Sequence, residues 1–278
     1  MLQSHTDFSS LRLPWSELLR QSVQEVGAKV QTLTGLGLAS MIMGLWLLTL
    51  ISVLRMDVGR LPWLAWIPLI LWQTFLQTGL FITAHDAMHG TVCPQQRWLN
   101  DGVGYLAAFA YSVLSYPQLR EKHHAHHANP ATAADPDFDE RDPHHPLTWY
   151  WQFMCGYLKG WQGLITLAGI NGFYNGCHLL LGIPILNLVI FWSLPILLSS
   201  IQLFYFGIYL PHRRLPEGYP DEHRARSSSL TGFWSFISCY HFGYHWEHHD
   251  NPGIPWYRLP SHQRRSLAGM IYPTDISC

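Results

Sequence analysis

Three stretches of the chain contain no Asp, Glu, Lys or Arg, and they predict membrane-spanning helices. These stretches are residues 30–54, 61–85 and 160–212, with lengths of 25, 25 and 53 residues, and a span needs about 20 mainly apolar residues. Gly182 and Pro184 interrupt the longest stretch near its middle, which favours a tight turn between two spans. Buried helices of soluble proteins give similar runs, but a soluble chain seldom carries three. The pattern predicts an all-α integral membrane protein with four transmembrane helices, at about residues 32–54, 62–84, 161–180 and 185–210.

The first 30 residues precede these spans and show a different pattern. Their apolar residues recur at helical spacing behind Pro14, which favours an amphipathic segment on the membrane surface, although a plain surface helix gives the same pattern. The segment lacks an apolar core followed by a small-residue cleavage site, so we expect it to be retained rather than removed as a signal peptide. We interpret residues 1–278 as a single membrane domain with an interfacial segment at residues 1–30.

Charge sets the expected orientation and excludes one class of partner. With 17 Lys and Arg against 18 Asp and Glu, the net charge is -1, and a nucleic-acid partner is not expected because binding to phosphate needs a basic surface. The link between the first two spans holds only Arg55 and Arg60, whereas the other 15 basic residues lie in the remaining segments outside the spans. By the positive-inside rule those segments are cytoplasmic. Residues 85–160 and 212–278 are therefore predicted to share the cytoplasmic face.

Histidine is unusually frequent, and its spacing predicts a metal centre. The chain has 17 histidines, and ten of them fall into three short clusters on the predicted cytoplasmic face. One cluster has a pair at i, i+4 and the other two have triplets at i, i+3, i+4, spacings that place the rings on one face of a helix. Eight imidazoles exceed the needs of one first-row ion and suit two ions with open positions. The eight residues are His85, His89, His123, His126, His127, His245, His248 and His249. A histidine-rich metal carrier or sensor without enzymatic activity is an alternative hypothesis.

Four further residues are predicted to complete this centre. His212 emerges at the cytoplasmic end of the last span, where ionisable groups tend to be functional, and we expect it to be a ninth ligand. His241 lies one helical turn before His245 and is interpreted as a hydrogen-bonding neighbour of the ligands. Ligating imidazoles are usually held at their second nitrogen by a carboxylate. Asp86 and Asp137 are the residues that we expect in this orienting role.

The available donor atoms favour iron and an external source of electrons. Nitrogen-rich ligation without clustered thiolates favours iron, with zinc and copper as alternatives. The five cysteines are widely spaced and form no Cys-x-x-Cys pair, so neither a disulfide framework nor an iron–sulfur centre is indicated. The chain also lacks the glycine-rich fingerprint of dinucleotide and flavin sites. An external electron carrier is therefore expected.

The histidine motifs and the phrases around them carry a family resemblance. Three histidine boxes on a four-span scaffold resemble the membrane fatty-acid desaturase and hydroxylase superfamily, whose members activate O2 at a histidine-bound di-iron centre. The surrounding phrases are similar to those of bacterial and cyanobacterial β-carotene ketolases. These phrases are His85–Gly90, Asn100–Gly104, Asp135–Phe138, Tyr209–Arg213 and Asn251–Trp256. The resemblance implies that the eight box histidines bind two iron ions, and His212 matches an additional histidine of related di-iron membrane enzymes.

The same resemblance implies a reaction and a route for the substrate. Ketolases oxidise the C4 methylene of the β-ionone rings of β-carotene to a ketone, giving echinenone and canthaxanthin, by two successive hydroxylations that consume O2 and electrons from a ferredoxin-type donor. No catalytic side chain beyond the metal ligands is implied. An apolar carotenoid dissolved in the bilayer should enter from within the membrane. Gln73, Gln77, Asn171 and Asn175 are expected to tie the spans together or to border this route. Di-iron enzymes acting on acyl lipids, on alkanes or on carotenoid C3 are the alternative.

Overall fold

The fold is all-helical over the described residues, as the sequence predicts. The computed structural model describes residues 15–214, 216–219 and 221–267, and no strand occurs among them. Short 3-10 turns at Val58–Arg60, Trp63–Ala65 and Trp256–Arg258 join some of the helices. The helices are α1 Trp15–Leu54, α2 Trp66–Met88, α3 Arg97–Ser112, α4 Tyr116–Ala128, α5 Pro146–Tyr157, α6 Gly160–Asn175, α7 Ile185–His212, α8 Gly232–Cys239, α9 His245–Asp250 and α10 Leu259–Leu267.

Three helical segments are long and apolar enough to cross a membrane. They are Ser22–Leu54, Trp63–Met88 and Ile185–His212, which cover three of the four predicted spans. The fourth predicted span corresponds to α6, which continues as a π-helical turn over Gly176–Leu180. This helix contains two asparagines and several glycines and is not among the three segments. The structure therefore gives three apolar spans with a fourth, more polar helix beside them.

Helix α1 differs from the expected division into an interfacial segment and a span. It runs without a break for 40 residues, about 60 Å at 1.5 Å per residue, which is twice the thickness of the hydrocarbon core. The interfacial pattern is thus the first part of the same helix as the span, because no residue between them breaks the helix. Val23 and Val26 are exposed there. Residues 1–14 of the predicted interfacial segment lie outside the described residues.

Helix α2 is the central element, and α1, α3 and α7 pack around it. Its residues from Thr78 to Met88 are buried almost without exception. A Cβ on Gly79 would lie 2.6 Å from the hydroxyl of Tyr240 and 2.8 Å from a methyl group of Ile42, so glycine leaves the room for the Tyr240 side chain to pack against α2. This packing brings the C-terminal end of α2 close to α4 and α9.

The polar residues within the spans hold helices together. Gln77 accepts a hydrogen bond from Trp46 Nε1 at 2.7 Å and donates to the carbonyl of Tyr111 at 2.5 Å, which links α2 to α1 and α3. Gln73 accepts from the Thr49 hydroxyl at 2.8 Å. Asn175 donates to Asn171 within α6. The two glutamines thus tie helices together as expected, whereas the two asparagines pair with each other on an exposed face.

Candidate metal centre

Four helices deliver the histidines to one buried layer. The C-terminal end of α2 carries the first pair, α4 carries the second triplet, the end of α7 carries His212 and α9 carries the third triplet. Helix α4 has Pro117 in its first turn, where proline is preferred, and it ends before Asn129 and Pro130, because proline cannot continue a helix. Helix α4 therefore ends directly after the histidines that it carries.

The turn before α9 has an unusual backbone. Tyr240 and His241 have φ angles of 48° and 63°, a left-handed conformation that costs free energy for residues other than glycine. These two residues reverse the chain after α8 so that α9 starts at His245. The local strain thus serves to aim the third histidine triplet at the other two groups.

Five of the histidines come together in space with their ring nitrogens close to one another, and we call this spatial group cluster 1. His89 Nε2 lies 2.7 Å from His123 Nε2, and His127 Nε2 lies 2.9 Å from His248 Nε2 and 3.1 Å from His123 Nε2. The ring of His85 packs against those of His89, His123 and His248. Nitrogens of His85, His89, His123 and His248 all lie within 4.8 Å of one another. Cluster 1 therefore consists of these four residues and His127.

The remaining four predicted ligands form a second group, cluster 2. It consists of His126, His212, His245 and His249, whose nitrogens also lie within 4.8 Å of one another. His245 Nε2 is 3.1 Å from His249 Nε2, and His126, His212 and His245 are each only 1% exposed. All nine sequence-predicted ligands are thus brought together, in one group of five and one of four.

The donor atoms of both clusters fit bound metal ions. The buried Nε2 atoms of His85, His126 and His212 have no hydrogen-bond partner, and an unpaired buried polar atom is costly unless something else binds it. Nitrogens held about 2.1 Å from one ion and adjacent in its coordination sphere lie about 3 Å apart. Three separations in cluster 1 and the His245–His249 separation in cluster 2, at 2.7–3.1 Å, are close to this value. The residues therefore suit two ions, one in each cluster.

Hydrogen bonds at the second ring nitrogen orient two histidines of cluster 2. His126 Nδ1 lies 2.9 Å from Asp135 Oδ2, and His212 Nδ1 lies 2.9 Å from the carbonyl oxygen of Arg224. Asp135 itself accepts backbone N–H bonds from Ala131 and Asp137 at 2.8 Å. These bonds direct the Nε2 atoms of His126 and His212 toward the centre of the cluster, as ligating imidazoles require.

The pairing of His126 with Asp135 also shifts both pKa values. Burial opposes charge on either group, but the negative carboxylate outweighs burial and raises the pKa of His126. Burial likewise opposes charge on Asp135, and the charge and hydrogen bond of His126 lower the pKa of that carboxyl below its usual value. The pair thus places a proton between His126 Nδ1 and the Asp135 carboxylate. The lone pair of His126 Nε2 remains available to bind a metal ion.

Four other cluster histidines, at the end of α2 and on α4 and α9, are kept neutral. Burial lowers the pKa of His89 to about 3, and burial with neighbouring imidazoles lowers the pKa values of His123, His245 and His248 well below their usual range. Neutral imidazole is the form that binds metals. These rings are therefore available as ligands at neutral pH.

The two carboxylates expected to orient ligands make other contacts. Asp86 Oδ2 accepts the backbone N–H of Trp256 at 3.2 Å, and Asp86 Oδ1 lies 3.8 Å from His85 Nδ1, too far for a hydrogen bond. Asp137 accepts from the Tyr157 hydroxyl at 2.9 Å. Asp135, two residues earlier in the same acidic motif, makes the bond to an imidazole because the turn after α4 presents its side chain to His126.

His241 lies beside the clusters rather than in them. Its ring stacks on those of Tyr244 and Trp256 at centroid distances of 5.7 and 6.1 Å, and its Nδ1 atom is buried without a hydrogen-bond partner. Burial lowers its pKa to about 4. The expected hydrogen bond to a ligand is replaced by aromatic packing, because His241 belongs to the reversing turn and not to α9.

An apolar cavity, which sequence reasoning did not locate, leads to the histidines. It has a volume of about 460 Å³ and lies between α3, α5, α6 and α7. Five residues line both this cavity and a smaller space of about 30 Å³ that borders His85, His123, His126 and His245. These five, here called the neck, are Phe81, Leu119, Phe153, Tyr157 and Leu203. The inner end of the cavity system therefore borders both clusters.

The outer end of the cavity opens at exposed leucines. Leu158, Leu164, Leu167 and Leu197 line it and are themselves 44–66% exposed. Three of the hydroxyls in the lining are paired within the protein. Ser200 bonds to Tyr150, Thr166 accepts from Gln162 and Ser193 bonds to Tyr174, each at 2.7 Å. The cavity thus presents an apolar surface to whatever enters it.

Comparison with known proteins identifies the family. Residues 61–175 and 157–277 match the family model described as fatty acid desaturase. The chain belongs to the fatty acid desaturase family. Together with the three apolar helices this makes it an integral membrane protein, and all nine clustered histidines lie within the matched region of this desaturase-family chain.

Relatives within this family are carotenoid enzymes. A β-carotene ketolase of Paracoccus sp. (strain PC1) is 40% identical over 86% of this chain and 96% of its own length. A β-carotene ketolase of Paracoccus sp. (strain N81106 / MBIC 01143) is 42% identical over 83% and 92%. A zeaxanthin 4-ketolase of Chlamydomonas reinhardtii is 36% identical over 83% of this chain and 51% of its own. No solved structure matches. The resemblance to ketolases found in the sequence motifs is confirmed.

Proposed function

We propose that this desaturase-family protein is a β-carotene 4-ketolase, which oxidises the C4 methylene of β-ionone rings to a ketone and gives echinenone and canthaxanthin. The observation that carries the proposal is the apolar cavity that opens toward lipid and ends at two histidine clusters. A long hydrocarbon substrate suits such a lining, and the relatives named as β-carotene ketolases cover almost the whole chain.

Each histidine cluster would hold one iron ion. Cluster 1 would supply His85, His89, His123, His127 and His248, and cluster 2 would supply His126, His212, His245 and His249. The bound irons would activate O2 and supply the oxidant for the ring carbon. Each keto group consumes two O2 and four electrons, so a one-electron donor of the ferredoxin type has to serve the protein from outside.

The chain itself would position the ring and exclude water. The neck separates the wide cavity from the histidines, and its apolar side chains would hold a hydrocarbon ring with C4 toward both clusters. A rigid polyene attached to that ring would lie along the cavity toward the exposed leucines at the lipid face. Positioning of this kind supplies much of the rate enhancement when the reactive group is a cofactor.

The proposed arrangement in the membrane has four spans. Helix α6 with its continuation to Leu180 is long enough to be the third span, and the turn at Gly182 would join it to α7. Only Arg55 and Arg60 carry positive charge in the first link, which supports a cytoplasmic location for the histidine clusters. In this proposal the whole chain is one membrane domain with the histidine-rich cap in the cytoplasm.

Pigment analysis tests the function directly. The full chain is expressed in a host that makes β-carotene, and the carotenoids are extracted and separated. Echinenone and canthaxanthin are the expected new products, and the His126→Ala variant made to the same level should yield none. Unchanged pigment together with altered fatty acids, alkanes or 3-hydroxylated carotenoids would contradict the proposal in favour of another di-iron activity.

A further inference from the structure

A small space lies between the neck and the clusters. Its volume is about 30 Å³, against about 460 Å³ for the wide cavity, so the bulk of a substrate has to lie in the cavity and the neck. A space of this size accommodates a small polar group such as a water molecule or a hydroxyl. The group that the reaction adds at C4 is a hydroxyl.

One wall of this space is polar although the substrate is a hydrocarbon. Tyr157 and Asp137 both line it, and the Tyr157 hydroxyl donates to the Asp137 carboxylate at 2.9 Å. Lys122 fixes the position of Tyr157, because its Nζ lies 4.2 Å from the centre of that ring and donates to the Gly156 carbonyl. Asp137 is only 4% exposed. A hydrocarbon ring gains nothing from this pair, so the pair suits an oxidised ring.

Donor and acceptor roles distinguish the alcohol from the ketone. The Tyr157 hydroxyl already donates its hydrogen bond to Asp137, but the lone pairs of the Tyr157 oxygen can accept another. A C4 alcohol can donate that bond, whereas a C4 ketone has no proton to donate. Leaving through the apolar neck would cost the alcohol this bond without replacement. The site therefore holds the alcohol and not the ketone.

From this geometry we infer that Tyr157, held by Asp137, binds the hydroxyl of the 4-hydroxy intermediate and retains it until the second oxidation. This inference rests on the proposed ketolase function and explains how the product becomes a ketone rather than an alcohol. Tyr157 acts here as a residue that binds the intermediate, and it takes no part in binding metal.

The sequence of steps balances with the reactants already named. In the first, a ring CH2, one O2, two electrons and two protons give CHOH and one water. In the second, CHOH with the same reactants gives a geminal diol and a second water, so that the ring carbon is oxidised and O2 is reduced each time. The diol then loses water to leave the ketone. The electrons come from the external one-electron carrier.

Removing the Tyr157 hydroxyl tests the inference by product ratio. The Tyr157→Phe enzyme, acting on β-carotene in membranes with a reductant, should release 4-hydroxycarotenoid at a ratio to ketone about tenfold above that of the unchanged enzyme, the effect of losing one hydrogen bond in a carboxylate-linked chain. Tyr150→Phe is the matched control, because it removes a hydroxyl from the same helix that bonds to Ser200 instead. Its product ratio should not change. An unchanged ratio in Tyr157→Phe, or an equal rise in both variants, overturns the inference.

If Tyr157→Phe gives no product, an experiment with labelled alcohol on the unchanged enzyme tests whether the intermediate is retained. The enzyme oxidises unlabelled β-carotene in the presence of excess carbon-13-labelled 4-hydroxy-β-carotene, and the label in the ketone is measured early in the reaction. Retention predicts that the labelled fraction of the ketone is several-fold below that of the free alcohol. Equal fractions would mean that the intermediate exchanges freely, which refutes retention while leaving ketolase activity intact. Absence of any oxidised carotenoid would instead refute the proposed function.

Discussion

The histidine clusters and the membrane spans both bury polar side chains, but they pair them differently. In the spans, Gln77 bonds to both Trp46 and Tyr111. In the clusters, the Nε2 atoms of His85, His126 and His212 have no hydrogen-bond partner, although the second ring nitrogens of His126 and His212 are held by Asp135 and by the carbonyl of Arg224. Buried polar groups in a folded protein are normally satisfied.

We therefore expect the cluster histidines to bind metal ions and the paired residues of the spans to stabilise the fold. Paired groups in the spans stabilise helix contacts, and their loss should affect stability without touching the chemistry. Histidines that are hydrogen-bonded at one ring nitrogen and have no partner at the other are suited to bind a metal ion, and their replacement should remove that ion. Four variants test whether the two regions differ in this way.

Removal of a ligand should have the largest effect. His126→Ala should lose the ion of cluster 2 and lower ketone formation by more than about 100-fold, beyond the usual effect of losing an outer hydrogen-bond partner. Metal analysis of the purified variant and pigment analysis check both expectations. His178→Ala is the control, since His178 Nδ1 bonds to the Ile183 carbonyl in the turn after α6. Full metal content in His126→Ala would contradict the assignment.

Removal of the carboxylate that orients His126 should have the second largest effect. Asp135→Asn keeps the shape of the side chain but loses the charge that holds His126 Nδ1, and metal affinity should fall by about 10–100-fold. Metal release to a chelator measures the change. Asp86→Asn should release metal much more slowly, because Asp86 bonds to the backbone of Trp256 rather than to an imidazole. Equal release from both variants would show that the Asp135 contact does not matter.

Filling the cavity should lower activity without affecting metal. Ile196 lines the cavity on α7, and Ile196→Trp should reduce ketone formation about tenfold, a cost typical of overfilling a packed site. Leu48→Trp is the matched control, because Leu48 is 63% exposed on α1 outside the cavity. Undiminished ketone formation by a folded Ile196→Trp enzyme would exclude the cavity as the substrate route.

The smallest effect on activity is expected for a residue that links helices by hydrogen bonds. Gln77→Leu leaves Trp46 Nε1 and the Tyr111 carbonyl without partners, which should lower the free energy of unfolding by about 1–3 kcal/mol. Metal content and specific activity of the folded fraction should stay within about twofold. Thermal unfolding in detergent measures the loss, with Asn175→Leu on the exposed face of α6 as the control. A loss of metal in Gln77→Leu would break the distinction between the two regions.

The sequence could predict the clustered residues because their spacing is local. The i, i+3, i+4 and i, i+4 spacings fix which rings share a helical face, and they predict eight of the nine histidines that the structure brings together. The ninth, His212, is predicted from its position at the end of the last span. The spacings could not divide these histidines between two clusters. His126 and His127 are neighbours on α4, yet they belong to different clusters, since their partners come from α7 and α9 and depend on tertiary packing.

Other features depended on contacts that no local pattern encodes. The choice of Asp135 over Asp137 depends on how the loop after α4 folds back on His126. Four charge-free spans were predicted from composition, but only the packing of α5 and α6 against α7 creates the cavity between them. The unbroken length of α1 was missed because a change in amphipathic pattern does not end a helix unless a breaker is present.

Iron content measured together with turnover shows whether the two histidine clusters each need an iron ion for ketone formation. The protein is purified in detergent, stripped of metal and reloaded with graded amounts of iron, and ketone formation from β-carotene is measured for each sample with an excess of reductant. The account predicts that activity rises with iron and reaches its maximum at two iron ions per chain. Full activity in metal-free protein, or a maximum reached at one ion per chain, would contradict it.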